Sequence, residues 1–263
     1  MQLSPPITIK LSTEELIMYK QVLQQIINER GSMNKDEFLI FTYQLAAWIK
    51  LSKQGRLNGD LKFTKKNNFE FKYISDIFRE ISELQLLEAN SSAFSYVNPA
   101  IQHISSQQLN TIIEWLAECD FNKRWDPENL INLVSNPALV RLPSELTQLI
   151  ISLTQMKKEE DIYLPFENSF QLTACAQKIS LKTYSETPVP SALPWLINIL
   201  CNMDMNIFIG DSIQRKNIGF LTHENELNKY SVSAAFPPLS LRYDNVSTLK
   251  MDLHNRFPNP HPH

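Results

Sequence analysis

The sequence predicts a helical N-terminal domain over residues 1–138, then a partial α/β domain over 139–250 built on a parallel sheet, then a proline-rich tail over 251–263. Three observations lead there. Capping residues and apolar residues at helical spacing fill the first half. Short strand-like runs alternate with helical ones in the second half, the pattern of strands joined by crossover helices. Turn-forming or acidic residues follow the expected strands at intervals of 21 to 26 residues, each long enough for one strand-helix crossover.

Composition bounds the function. A chain of 263 residues, 43% hydrophobic and 20% charged, can build one large or two small cores and is not expected to be disordered. The net charge of -3 gives no global attraction for nucleic acid, so any DNA contact must come from a local patch. Five glycines are few for phosphate-binding loops. Cys119, Cys175 and Cys201 are odd in number and widely spaced, which argues against a disulfide framework, a zinc site or any other metal site. With no signal-like start and no apolar run of about 18 residues, the expectation is a soluble cytoplasmic protein without a membrane partner.

In the first half, Ser12 and Glu15 form a capping box ahead of Leu16, Tyr19, Leu23, Ile26 and Ile27, with Gly31 as the stop. Asn34 and Glu37 cap a second helix whose apolar face is Phe38, Phe41, Leu45, Trp48 and Ile49, and Gly55 ends it. Leu61, Phe63, Phe69, Phe71 and Tyr73 then follow period two around a polar turn, which predicts a hairpin. A helix over 74–87 and a short strand over 94–97 complete a winged-helix-like reading. Ser105 with Gln108, and Asp126 with Pro127, open two more helices.

In the second half the expected elements are a helix from Leu142-Pro143 to Leu153, a strand over 161–165 and a helix over 171–176. A strand over 179–184, a helix over 192–201, and strands over 206–209 and 230–235 follow. Ligands of such sheets sit at the carboxyl ends of the strands. There stand Leu164-Pro165-Phe166-Glu167-Asn168-Ser169-Phe170, Glu186, Gly210-Asp211 and Phe236-Pro237-Pro238-Leu239.

This ordered set resembles the adenine-specific DNA methyltransferases, most closely the modification subunit of type I restriction systems. The resemblance covers about Val140 to Leu241. It implies a partial S-adenosylmethionine-dependent methyltransferase (Rossmann-like) sheet, DNA and sister subunits of a bacterial modification complex as partners, and S-adenosylmethionine as cofactor. It places Pro165 in the cofactor loop, Glu186 on the ribose hydroxyls, Asp211 on the adenine amine, and Pro237-Pro238 beside the flipped target base. The family core continues past its fourth strand, so the reading expects a segment of a longer protein or a sheet edge needing cover.

Departures from the family pattern fall on the chemistry. Asn168 and Phe170 replace the two loop glycines, and a phenyl ring takes space the cofactor needs. Phe236, in place of asparagine, has no acceptor to polarise the amine of the base, and Leu239 has no aromatic face to stack on it. The expectation is a catalytically impaired methyltransferase-like protein that acts through DNA or subunit binding. The alternative is a non-enzymatic helical, winged-helix-like DNA-binding or protein-interaction regulator using Lys62, Lys65, Lys66 and Lys72.

Overall fold

The computed structural model describes residues 23–66, 68–84, 92–95, 99–121, 125–134, 142–158, 160–167, 170–187, 192–203, 205–209 and 232–233. They form two compact units, one helical and one built on a sheet. Among the described residues no helix is long and apolar enough to cross a membrane.

The helical unit is organised around α2 (Lys35–Lys53), preceded by α1 (23–28). The Asn34 side chain accepts from the amides of Asp36 and Glu37, satisfying two of the first-turn donors. At the other end Gly55 takes φ 70°, and Arg56 N–H donates to the Leu51 carbonyl at 2.9 Å, closing a Schellman turn. Every residue of α2 from Phe38 to Ser52 except Ile40 is buried, so it is a central helix and not the one-faced helix its apolar spacing suggests. Its polar side chains find partners inside. Thr42 and Ser52 donate back to the carbonyls of Phe38 and Trp48, and Gln44 donates to the Ala93 carbonyl. Lys50, 0% exposed, donates to the Leu200 carbonyl at 2.7 Å. That carbonyl ends a further helix, whose C-terminal partial negative charge offsets the buried ammonium.

Around α2 lie α3 (Phe71–Glu83), α4 (Ser106–Glu118) and α5 (Pro127–Leu133). The reciprocal capping box of Ser105 and Gln108 is present, as is the Asp126 cap with Pro127 in the first turn. The expected hairpin over 61–73 is not formed. Residues 59–61 make a 3-10 turn, the described residues of 62–70 are irregular, and α3 starts at Phe71. The aromatic residues that mimic a strand period pack instead as a cluster on Trp48, with Phe63 5.2 Å away and Phe69 6.2 Å away, both edge to face. Residues 92–94 are also 3-10 and Ser95 is a bend, at the start of the strand expected over 94–97, whose residues 96–97 lie outside the described residues. The start of the first helix, with Ser12 and Glu15, lies outside the described residues.

The sheet unit contains α6 (Ser144–Leu153), β1 (Asp161–Leu164), α7 (Gln171–Lys178), β2 (Lys182–Thr187), β3 (Met205–Ile209) and β4 (Val232–Ser233). The strands are all parallel, in the order β3-β2-β1-β4, so their carboxyl ends share one edge. Leu142, Ile151, Ile162, Leu164, Leu172, Ala176 and Leu181 form the core between the two helices and one face of the sheet. Gln171 fastens the chain ahead of α6, donating to the Leu142 carbonyl at 3.0 Å and accepting from its amide at 2.7 Å. Between β2 and β3 in the chain lies α8 (Leu193–Leu200), which the sequence groups with the sheet as a crossover. It belongs to the helical unit, against α2, because all eight of its residues are buried and it requires cover all round.

The second strand begins three residues later than expected, at Lys182. Leu181 N–H donates to the Ala176 carbonyl at 3.1 Å, with Ser180 at φ 63°, so residues 179–181 complete the end of α7 before the strand can start. Gln155 (φ 54°) and Asn202 (φ 49°) follow α6 and α8 in the same left-handed conformation, which explains how a glycine-poor chain stops its helices. Ser180 is exposed, and a side chain is strained there. Ser180→Gly is expected to raise stability by about 1 kcal/mol in urea unfolding, whereas an unchanged midpoint would show that the turn carries no strain.

Candidate functional site

At the carboxyl edge of the sheet, β1 runs into Pro165, and the register pairs Leu164 with Ser185 of β2. The loop then turns sharply. Phe166 (φ 59°) and Phe170 (φ 58°) are both left-handed, a conformation that bulky residues rarely take. Phe170, 3% exposed, holds this conformation where the resembled family has its second loop glycine, and Phe166 is 8% exposed.

Between them Glu167, 4% exposed, points inward. Its N–H donates to the Glu186 carbonyl at 2.8 Å, hooking the loop onto β2. Its carboxylate accepts from the Thr173 amide at 2.8 Å and the Thr173 hydroxyl at 2.9 Å, and the Phe170 amide also donates to it. Phe170 makes no side-chain cap, so this carboxylate serves the first turn of α7, where a negative charge is favoured by the helix dipole. Thr173 Oγ1 lies 2.6 Å from Ser185 Oγ. One turn on, Gln177 Nε2 donates to Thr183 Oγ1 at 3.1 Å and to the Leu181 carbonyl at 3.0 Å. A buried polar chain thus joins the loop, α7 and β2.

Tyr163 and Glu186 belong to the opposite face of the sheet, since side chains alternate along each strand. The Tyr163 hydroxyl donates to Glu186 Oε2 at 2.5 Å, and Glu186 is 3% exposed. It is the fifth of the six residues of β2, not a residue beyond the strand.

The structure therefore brings together two of the sequence-selected residues, Pro165 and Glu186, at neighbouring strand ends. Asp211, Phe236, Pro237 and Pro238 lie outside the described residues. Glu167, Tyr163, Thr173 and Ser185 were not singled out for roles. A carboxylate four positions ahead of the helix start expected at Gln171 was the available signal for Glu167. Binding the methionine part of S-adenosylmethionine calls for an open, glycine-lined loop, and binding its ribose calls for an accessible acidic acceptor. The described residues do not fit that group, because the loop buries Phe166 and Phe170 and the Glu186 carboxylate is shut in against Tyr163. Among the described residues no three His, Cys, Asp or Glu side chains cluster as metal ligands.

Burial pushes the Glu167 carboxyl up from its ordinary 4.5 to about 7, against the opposing pull of the Thr173 amide and hydroxyl and the Phe170 amide. A folded-state value above that of the unfolded chain means that the folded form binds the proton more tightly. The resulting stabilisation is complete below pH 4.5 and is lost as pH rises through about 7. The total lost across that interval is about 3 kcal/mol. Glu167→Gln keeps an acceptor for Thr173 but cannot titrate, so urea unfolding should show a flatter decline in stability from pH 5 to pH 8. An unchanged decline would place the pH dependence elsewhere. No protein-family model, no curated protein and no solved structure matches this chain.

Proposed function

We propose that the chain is a methyltransferase-like protein of a DNA modification or defence system that has lost methyl transfer and acts by binding DNA or sister subunits. One observation carries this reading. In sheets of order β3-β2-β1-β4 the strand order reverses beside β1, and the helix start after β1 is where such folds receive the anionic part of a ligand. Here Glu167, in its ionised form, supplies that negative charge from within the chain.

The rest of the edge fits the same account. Phe170 keeps a backbone conformation natural to glycine while presenting a buried side chain, as expected of a ligand loop whose glycine has been replaced. Glu186 is satisfied by Tyr163. Phe236 and Leu239 supply neither the acceptor nor the stacking face that adenine methylation requires. What the chain retains is a scaffold, and a scaffold of this kind works through its surfaces.

Titration calorimetry with S-adenosylmethionine tests the reading. It predicts no saturable heat at ligand concentrations up to about 1 mM. Micromolar binding abolished by Asp211→Ala would overturn it.

A further inference from the structure

We infer that the irregular segment between α2 and α3, carrying Arg56, Lys62, Lys65 and Lys66, together with Lys72 in the first turn of α3, is a preformed surface for the phosphate backbone of duplex DNA. The choice of DNA over RNA rests on the function proposed above; the surface itself rests on independent observations.

The first is charge. Between Lys53 and Lys72 stand six basic side chains and two acidic ones, Asp60 and Glu70, in a chain whose net charge is -3. Arg56, Lys62, Lys65, Lys66 and Lys72 are all exposed. The ion pair of Arg79 with Asp76 involves none of them. Positive charge is thus concentrated on this part of the chain, the footprint of a polyanion site.

The second is rigidity. Apart from the 3-10 turn over 59–61 its described residues have no regular structure, yet its ends are fixed to the helices. Trp48 Nε1 donates to the Leu61 carbonyl at 2.8 Å, and the Phe63 amide donates to Ser52 Oγ at 2.8 Å. At the far end the Phe69 amide donates to Asn110 Oδ1 at 3.0 Å, and Asn110 Nδ2 donates to Asn68 Oδ1 at 2.9 Å. Lys66 is itself positioned, with its ammonium 3.7 Å from the Tyr73 ring centroid. A backbone ordered in advance loses less entropy when it binds.

The third observation separates duplex from single strand. Single-strand sites offer aromatic faces on which bases stack. Here Phe63 stacks on Phe69 at 5.9 Å and meets the edge of Trp48, Phe71 packs on Phe41 at 6.0 Å, and Lys66 covers Tyr73. The rings serve the fold, and the lysines are what remains for a ligand. Contacts of this kind read the backbone and not the sequence.

Fluorescence anisotropy of the whole chain with a short labelled DNA duplex tests the inference. About five phosphate contacts give a log-log salt slope of about -4.5, so affinity should fall by about two to three orders of magnitude between about 50 and 200 mM salt. Replacing Lys62, Lys65 and Lys66 by Gln should weaken binding at least about tenfold at low salt and flatten the slope by about 2.7, while Lys157→Gln in the other unit should change neither. The single substitution Lys65→Gln, at an exposed position, should flatten it by about 0.9. No binding by the unaltered chain at low salt, or an unchanged slope in the triple variant, would overturn the inference. Tighter binding to an RNA duplex of equal length would overturn the assignment to DNA. Calorimetry with S-adenosylmethionine reads the sheet unit alone, so failure of the cofactor argument and failure of this surface give different results.

Discussion

The carboxylate of Glu167 holds the carboxyl edge of the sheet together. It lies in the loop after β1, caps the first turn of α7 through Thr173, and is linked through the Thr173 hydroxyl to Ser185 of β2. Its own amide is held by the Glu186 carbonyl. Burying a charge is costly unless donors surround it, and three donors with a helix dipole behind them lessen that cost without removing it. The raised proton affinity is the part that remains uncompensated. An arrangement of this kind has a functional consequence: the helix end that could receive an anion from solution is served by the protein itself.

Local strain and buried polarity accompany each other in this unit. Phe166 and Phe170 both adopt left-handed backbone, and their burial is what offsets the conformational cost. The helical unit solves its polar problem differently, by placing Lys50 at the C-terminal carbonyl of α8 and letting α2 take cover on all sides.

Much of the architecture was legible in the residues. Asn34, Ser105 and Asp126 announce helices because a side-chain acceptor next to unpaired amides is a local interaction, independent of the rest of the chain. The alternation of short strands and helices after residue 142 anticipates the parallel sheet for the same reason. Non-local choices were not legible. Phe63, Phe69, Phe71 and Tyr73 have the period of a strand, but Phe63 and Phe69 pack on Trp48, Phe71 on Phe41 and Tyr73 on Phe69, contacts that no local pattern announces. The start of β2 was misplaced because Ser180 holds a left-handed turn that glycine more often marks. In the candidate site, Pro165 follows β1 as expected, whereas Glu186, expected beyond its strand, lies within β2. Glu167 was passed over, since its burial depends on how α7 folds back over β2.

The account stands on Glu167 being shut away from solvent. Selective carbon-13 labelling of glutamate, with the Glu167 side-chain carbonyl followed by NMR across pH, reads that state directly. The predicted result is a titration midpoint of about 7. A midpoint at the ordinary 4.5 would mean a solvated carboxylate and an edge open to ligands, and would contradict the account.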